Sequence, residues 1–329
     1  MGISIRFEFH IFVNRSGCVD ECHKTSEEKP SIKRWFLKSA ADEVERQKCS
    51  LSYSTLENYK TALRAFSKYL KQDIDIANIN QTLLKGFERW LRDKNLCLNT
   101  VSCYMRSLRS LLNRLDCENK SHAFGNVYTG RARTEKRAVS EEDVCRLKQV
   151  ELRPHSFLCL VRDIFLFSYY ALGMPFVDVA FLRRSQINGN LLTYHRHKTG
   201  QRIVIPLEHC MSEIISRYKS DSEYVFPLLH SREPQKAYHE YLRMLNRYNR
   251  TLKTLAIKAG VTQRLTSYTA RHTWASVAYN ENVDLPVISK ALGHTNPQTT
   301  LTYIRGINDD RLAQANHKIV SKVYGIPSN

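Results

Sequence analysis

Apolar residues recur at intervals of three and four positions in four successive segments between residues 31 and 114. This spacing places them on one side of an α-helix, so each segment predicts an amphipathic helix with one face to bury. Four such helices in a stretch of this length predict a small helical bundle. In the second segment, Ser54 precedes Glu57 by three residues, which predicts a capping box at Ser54. The apolar faces comprise Ile32, Trp35, Phe36, Ala40 and Val44; Leu56, Tyr59, Leu63, Phe66 and Leu70; Leu84, Phe87 and Leu91; and Val101, Met105, Leu108, Leu111 and Leu112.

The second half of the chain mixes helices with a hairpin. SEEDVCRLKQV predicts a helix with Ser140 as its N-cap. FLCLVRDIFLFSYYAL is apolar nearly all round, which predicts a helix buried at the centre of a domain. NLLTYHRH and QRIVIPL flank Lys198-Thr199-Gly200 and predict a β-hairpin. We therefore expect a mainly α fold with a small β-sheet: an N-terminal helical bundle followed by a mixed α+β domain.

Changes in pattern divide the chain into four parts. Residues 1–28 alternate and then turn polar, which suggests an N-terminal arm of unknown role, either a short strand or a loose extension. The bundle is expected over residues 29–122 and the second domain over residues 139–329. Residues 123–138 lack periodicity and are rich in Arg, so we interpret them as a basic linker.

The charge of the chain points to a polyanionic partner. Fifty Lys and Arg residues against 32 Asp and Glu give a net charge of +18, which would attract nucleic acid, although a merely basic surface has the same composition. The nine cysteines are scattered without zinc-ligand spacing, so we expect reduced thiols and no metal. No Gly-rich phosphate loop is present, and no cofactor is expected. Without a membrane-length apolar run or a signal-peptide pattern, we expect a cytoplasmic protein.

The stretch ALGHTNPQTTLTYI, residues 291–304, contains a His and, nine residues later, a Tyr. Gly293 can end one helix in a left-handed cap, and Asn296 can begin the next. His294 would then lie in a loop, and Tyr303 about two turns into a short helix. A helical Tyr is ordinarily a core or surface residue, so this stretch alone leaves the role of Tyr303 open.

Four residues in order make a more specific pattern. Lys198 is expected on a hairpin turn, Arg271 on a helix within TARHTWAS, His294 in a loop and Tyr303 on a helix. Singly they read as a surface Lys, an ion-paired Arg, a capping His and a core Tyr. Together the pattern Arg-His-Thr-x-Ala-Ser, then Leu-Gly-His, then Tyr resembles the tyrosine recombinases of the lambda-integrase type, the phage integrase family, over residues 165–303. The preceding bundle resembles the SAM-like core-binding domain of that family.

This resemblance implies site-specific DNA recombination through a covalent intermediate. It implies that Tyr303 takes the 3′ phosphate and frees a 5′ hydroxyl, while Lys198 protonates the departing 5′ oxygen. It also implies that Arg271 contacts the non-bridging oxygens and that His294 assists there. Asp178 matches an acidic position whose carboxylate can orient an Arg. A phenol of ordinary pKa is only about 0.1 percent ionised at pH 7, a handicap of about 4 kcal/mol that nearby cations offset. Such cations make a metal unnecessary.

The sequence departs from the family pattern in two places. The family has Gly-Leu/Met-Arg at a helix start, but here the text is ALGMPFVDVAFL, so Pro175 stands where the first catalytic Arg is expected. Some relatives place an Arg just before the Gly, and that position is Leu172. Tyr268 stands where the family has His or Lys three residues before Arg271, and its phenol can either donate to phosphate or simply pack.

Other arginines lie near the site in sequence, but the sequence does not choose among them. Each is interpreted as a DNA-backbone contact or a surface charge. They are Arg183, Arg184, Arg196 and Arg202.

Two functions remain open at this stage. The first is an active recombinase, an integrase or invertase of a mobile element, acting as a homotetramer on two double-stranded DNA sites, with room for accessory DNA-bending proteins. The second is a DNA-binding protein of recombinase descent with little or no catalysis. A type IB topoisomerase is a third, weaker reading. Either class would work in the bacterial cytoplasm at the nucleoid. Residues 309–325 predict an amphipathic helix that docks on a neighbouring protomer or on its own domain.

Overall fold

The computed structural model describes residues 34–115, 120–132, 137–219, 222–296, 298–302 and 320. The predicted N-terminal arm, Tyr303 and nearly all of the predicted C-terminal helix lie outside the described residues. The chain divides into two compact units, residues 1–132 and 133–329. Among the described residues, every helix is too short or too polar to cross a membrane.

The first unit contains the four predicted helices. They are α1 (Phe36–Arg46), α2 (Tyr53–Leu70), α3 (Gln81–Asp93) and α4 (Leu98–Arg114), with short 3₁₀ helices at Gln47–Cys49, Ile76–Asn78 and Lys120–Phe124. Helix α2 begins two residues earlier than a cap at Ser54 would allow, because the Ser52 side chain accepts the Thr55 amide. The capping-box prediction at Ser54 was therefore wrong.

The apolar faces of the bundle meet in one core, as the periodicity predicts. Phe66 contacts Phe36 and Phe87 edge-on, with ring centroids 5.8 Å and 4.9 Å away. This geometry is favourable for aromatic pairs. Phe124 and Val127, at the start of the segment interpreted as a linker, are also buried in this core. That segment therefore begins as part of the bundle.

The second unit is built around a central helix. Its elements are α5 (Glu141–Gln149), α6 (Phe157–Tyr170), α7 (Phe176–Ala180), β1 (Ile187–Asn188), β2 (Leu191–His195), β3 (Arg202–Pro206), α8 (His209–Ser216), α9 (Pro234–Lys258), α10 (Thr269–Asn280), α11 (Leu285–Ala291) and α12 (Gln298–Leu301). Helix α6 packs against α5, α8, α9 and α10. Every residue from Asp163 to Ser168 is buried, which confirms the prediction of a central helix. The mainly α fold with a small sheet is likewise confirmed.

The sheet is a three-stranded antiparallel meander in the order β1-β2-β3. Leu192 and Tyr194 of β2 are buried together with Ile203 and Ile205 of β3, whereas the intervening residues are more exposed. This alternation is expected when one face of a sheet covers a core. The predicted hairpin turn is present: the Gly200 amide donates to the Arg196 carbonyl at 2.8 Å. The turn therefore holds Lys198 at the end of the sheet.

Candidate active site

Arg271 lies in the first turn of α10 and is the largest fully buried side chain of the described residues, with 1% of its surface exposed. A buried guanidinium must be satisfied by acceptors. Arg271 Nη1 donates to the Gly173 carbonyl at 3.0 Å, and Nη2 donates to the Leu292 carbonyl at 2.5 Å. The side chain is therefore held between the turn after α6 and the end of α11.

The turn between α6 and α7 is shaped to admit Arg271. Leu172 and Gly173 both have positive φ, 57° and 67°, which turns the chain sharply. A Cβ atom at Gly173 would lie 2.9 Å from the Arg271 Cα, so the helix can approach only because a glycine stands there.

Helix α11 ends in a Schellman motif that positions His294. The Gly293 amide donates to the Lys290 carbonyl and the His294 amide to the Ser289 carbonyl, each at 3.0 Å. Gly293 has φ 63°, as this termination requires. The left-handed cap predicted at this glycine is confirmed. It turns the chain so that the Leu292 carbonyl accepts hydrogen bonds from two guanidinium groups, those of Arg196 and Arg271.

His294 is hydrogen-bonded through both ring nitrogens. Its Nε2 lies 3.0 Å from Arg271 Nη2, and its Nδ1 lies 2.8 Å from the Thr300 hydroxyl on α12. Burial and the positive charges of Arg271, Arg196 and Lys198 lower the pKa of His294 to about 4, so the ring is neutral at pH 7. Because a guanidinium can only donate, Nε2 accepts and the single ring proton resides on Nδ1, which donates to Thr300.

Asp178 forms a buried ion pair with Arg196. Asp178 Oδ2 lies 2.8 Å from Arg196 Nε, and Oδ1 accepts the His197 amide at 2.8 Å. Burial raises the pKa of Asp178 above its usual value, while Arg196 and the His197 amide act in the opposite direction. Arg196 is 7% exposed, so it is not the surface charge that the sequence interpretation allowed.

The hairpin turn joins these groups to Lys198. The Thr199 hydroxyl donates to the Gly293 carbonyl at 3.3 Å, which fastens the turn to the loop carrying His294. Lys198 itself is exposed, and its charge contributes to the lowered pKa of His294. The structure thus brings Lys198, Arg271, His294 and Asp178 together, with Arg196 between them.

Two family models match the chain. The model described as the phage integrase family matches residues 160–308, and the phage integrase SAM-like domain matches residues 35–114. The chain belongs to the phage integrase family of tyrosine recombinases.

Known proteins are similar to this chain in sequence and in fold. The tyrosine recombinase XerD of Oceanobacillus iheyensis is 24% identical over 264 residues, which cover 77% of this chain and 88% of the relative. The fold is similar to the Tn1549 transposon integrase in complex with transposon right end DNA, with a TM-score of 0.64, 13% identity and coverage of 88% and 100% of the two chains. It is also similar to a lambda integrase tetramer bound to a Holliday junction, with a TM-score of 0.61, 15% identity and coverage of 84% and 78%.

The chain departs from its family pattern at a buried position. Pro175 is the N-cap residue of α7, and its carbonyl accepts the Val179 amide at 3.0 Å. Pro175 is buried, and Leu172, the alternative position for an Arg, lies in the left-handed turn before it. Tyr268 lies immediately before α10 with 45% of its surface exposed, so its ring does not pack in a core.

Sequence reasoning missed three parts of this site. It did not find the burial of Arg196, the hydrogen bond from His294 to Thr300 or the Leu292 carbonyl as a common acceptor. The one signal available was that Arg196 precedes Lys198 by two residues in the same predicted turn. Within the described part of the chain, no cluster of His, Cys, Asp or Glu is arranged to hold a metal ion.

Proposed function

We propose that this chain is a site-specific DNA recombinase that cuts and rejoins DNA through a 3′-phosphotyrosyl intermediate on Tyr303. The observation that carries the proposal is the convergence of Arg271, His294 and the Lys198 turn at the end of α11. Tyr303 follows α12 by two residues, and α12 contributes Thr300 to His294. A weakly acidic phenol needs preorganised cations around the phosphodiester that it attacks.

In the proposed reaction, Tyr303 Oη attacks the scissile phosphorus, and the bond between phosphorus and the 5′ oxygen breaks. The phenol gives its proton to water, and the Lys198 ammonium donates one to the departing 5′ oxygen. In the rejoining step the attacking 5′ hydroxyl returns its proton to Lys198 and the released Tyr303 takes one from water, so protons balance over the cycle. Arg271 stabilises the charge that develops on the non-bridging oxygens. Since His294 Nε2 accepts a hydrogen bond from Arg271, its part is to orient that guanidinium. A 5′ hydroxyl of a second strand then attacks the phosphotyrosine and releases Tyr303.

The substrate in this proposal is double-stranded DNA, and the assembly is a homotetramer on two sites. The net charge of +18 supports a polyanionic partner. The printed descriptions of the lambda and Tn1549 integrases, on a Holliday junction and on transposon end DNA, support the assembly and the substrate by analogy. Within this proposal, integration and inversion are the two outcomes to separate by sequencing the products.

Covalent trapping tests the proposal. The binding sites of the protein are first recovered by sequencing the DNA that it retains. A duplex of such a site, nicked next to the scissile phosphate so that the cleaved end diffuses away, is then incubated with the parent and with Tyr303→Phe. We expect an adduct that resists denaturant from the parent and none from Tyr303→Phe, although both bind the duplex equally. A parent that binds the site tightly and forms no adduct would contradict the proposal.

Tight binding without an adduct would favour the other candidate, a DNA-binding protein of recombinase descent without catalysis. The observation on its side is Pro175, which is buried at the start of α7 and offers no donor to a phosphate.

A further inference from the structure

The loss of an Arg at Pro175 leaves the proposed reaction with one cation fewer than the family pattern supplies. Removing one such donor from a preorganised site typically costs about 10²–10³ in rate. Four arginines lie near enough in sequence to compensate, and the structure separates them by what each side chain contacts.

Three of the four are committed elsewhere or face solvent. Arg184 donates to the carbonyls of Ser222 and Tyr218 at 3.1 Å and 2.7 Å, so it closes a loop of the second unit. Arg183 is largely exposed beside Glu223, with 3.9 Å between Nη1 and Oε2. Arg202 is exposed at the first position of β3.

Arg196 is the one of these four that reaches the catalytic cluster. Its Nη1 donates to the same Leu292 carbonyl that accepts from Arg271 Nη2. Two nitrogen atoms that donate hydrogen bonds to the same oxygen atom lie no more than about 6 Å apart. The two guanidinium groups are therefore close enough to engage one phosphate group together.

The guanidinium of Arg196 is held on one side and available on the other. Nε pairs with Asp178 and Nη1 donates to Leu292, and among the described residues Nη2 has no hydrogen-bond acceptor. An Arg fixed in this way loses little conformational entropy when it binds a phosphate oxygen. Lys198, two residues further along the same turn, is exposed, so this turn also reaches solvent beside the cluster.

Asp178 explains why an Arg from the hairpin can serve in place of one from α7. Asp178 follows Pro175 by three residues, which puts the two positions on the same side of α7. A carboxylate there orients an Arg, and the Arg that it orients in this chain comes from the hairpin turn.

We propose that Arg196 is a catalytic residue that contacts the scissile phosphate and supplies the guanidinium missing at Pro175. This inference rests on the proposed recombinase function. In it, Arg196 and Arg271 share the non-bridging oxygens, and Asp178 is the positioning residue for Arg196.

The test measures single-turnover adduct formation on the nicked duplex with protein in excess, so that binding does not limit the rate. We expect Arg196→Ala to slow adduct formation about 10²–10³-fold. Arg153→Ala, which removes an exposed Arg of the same unit, should leave the rate within about threefold of the parent. Because Arg196→Ala leaves Asp178 buried without its cation, the pair Arg196→Ala with Asp178→Asn is measured beside it, and thermal unfolding identifies the variants that fold.

A substrate with a neutral methylphosphonate at the scissile position separates contact from structure. Where the phosphate carries no charge, the guanidinium has little to stabilise, so the variants and the parent should react at similar rates. A purely structural role predicts the same fold-loss on both substrates and would overturn the proposal, as would a loss below threefold on the phosphodiester. A parent without adduct on either substrate would overturn the recombinase function and this inference together, whereas the other failures leave the function standing.

Discussion

Gly293 is the position where one added methyl group should disturb both the stability and the site. An Ala there must adopt φ 63°, which costs about 1–2 kcal/mol for an L-residue. Its Cβ would also lie 2.9 Å from Arg196 Cγ and 3.2 Å from Ile203 Cδ1. Overpacking of this kind typically costs a further 1–3 kcal/mol or so. We therefore expect Gly293→Ala to lower the free energy of unfolding of the second unit by about 2–5 kcal/mol.

Gly260, at the end of α9, provides a matched control. It has φ 66°, and a Cβ there would have no neighbour within 4 Å. Gly260→Ala thus carries the same backbone penalty, about 1–2 kcal/mol, without the steric contact. The difference between the two variants isolates the contact with Arg196 and Ile203.

The measurement is native-state hydrogen exchange of the α10 and α6 amides, which reports on the second unit separately from the bundle. Adduct formation on the nicked duplex should also fall in Gly293→Ala and not in Gly260→Ala, because only the first displaces the Arg196 side chain. If the two variants lose the same stability to within about 0.5 kcal/mol, the steric argument is refuted.

Two further predictions concern His294. Thr300→Val removes the acceptor for Nδ1, so it should lower the free energy of unfolding by about 1–3 kcal/mol and change the ¹⁵N shifts of the His294 ring. Thr300→Ser keeps the hydroxyl and should keep the parent's stability and ring shifts. Unchanged ring shifts in Thr300→Val would contradict the assigned tautomer. Because the pKa of His294 is about 4 in the folded chain and near 6.5 when unfolded, the unfolded state binds more protons between these values. Stability should therefore fall as the pH drops from 6.5 towards 4, by about 1–2 kcal/mol after solvent screening. Urea unfolding of the parent and His294→Gln at both pH values checks this, and an equal pH dependence would refute it.

Local patterns predicted much of the fold. The helical periodicity predicted the bundle, the apolar run predicted α6, and the hairpin sequence predicted β2 and β3, because each depends on residues close in the chain. The boundary of α2 was missed because Ser52 and Ser54 are both competent caps, and the sequence does not decide between them. Phe124 and Val127 were interpreted as linker because Phe124 ends a short 3₁₀ helix and Val127 lies outside any helix, and neither arrangement leaves a periodic pattern.

The candidate site was predicted where it depended on side-chain identity and missed where it depended on the backbone. Lys198, Arg271 and His294 were found because their motifs and order resemble the family pattern, and the structure brings them together. The Leu292 carbonyl has no side-chain signature, because any residue at that position offers the same oxygen. Its role arises from the termination of α11 and from two arginines 96 and 21 residues away in sequence.

Two guanidinium groups that share a carbonyl repel each other, so this arrangement needs negative charge or partial charge around it. Asp178 supplies one full charge, and the Leu292 carbonyl at the C-terminal end of α11 supplies partial negative charge. A phosphate oxygen beside the Leu292 carbonyl lies within reach of both guanidinium groups, since both are already held at one place. The folding of the chain thus supplies the free energy that holds the two cations together, and binding of the scissile phosphate relieves their repulsion. An Arg from a hairpin turn can therefore act in place of one from α7. The requirement is that its guanidinium lies beside that of Arg271 at the end of α11, whichever element carries the side chain.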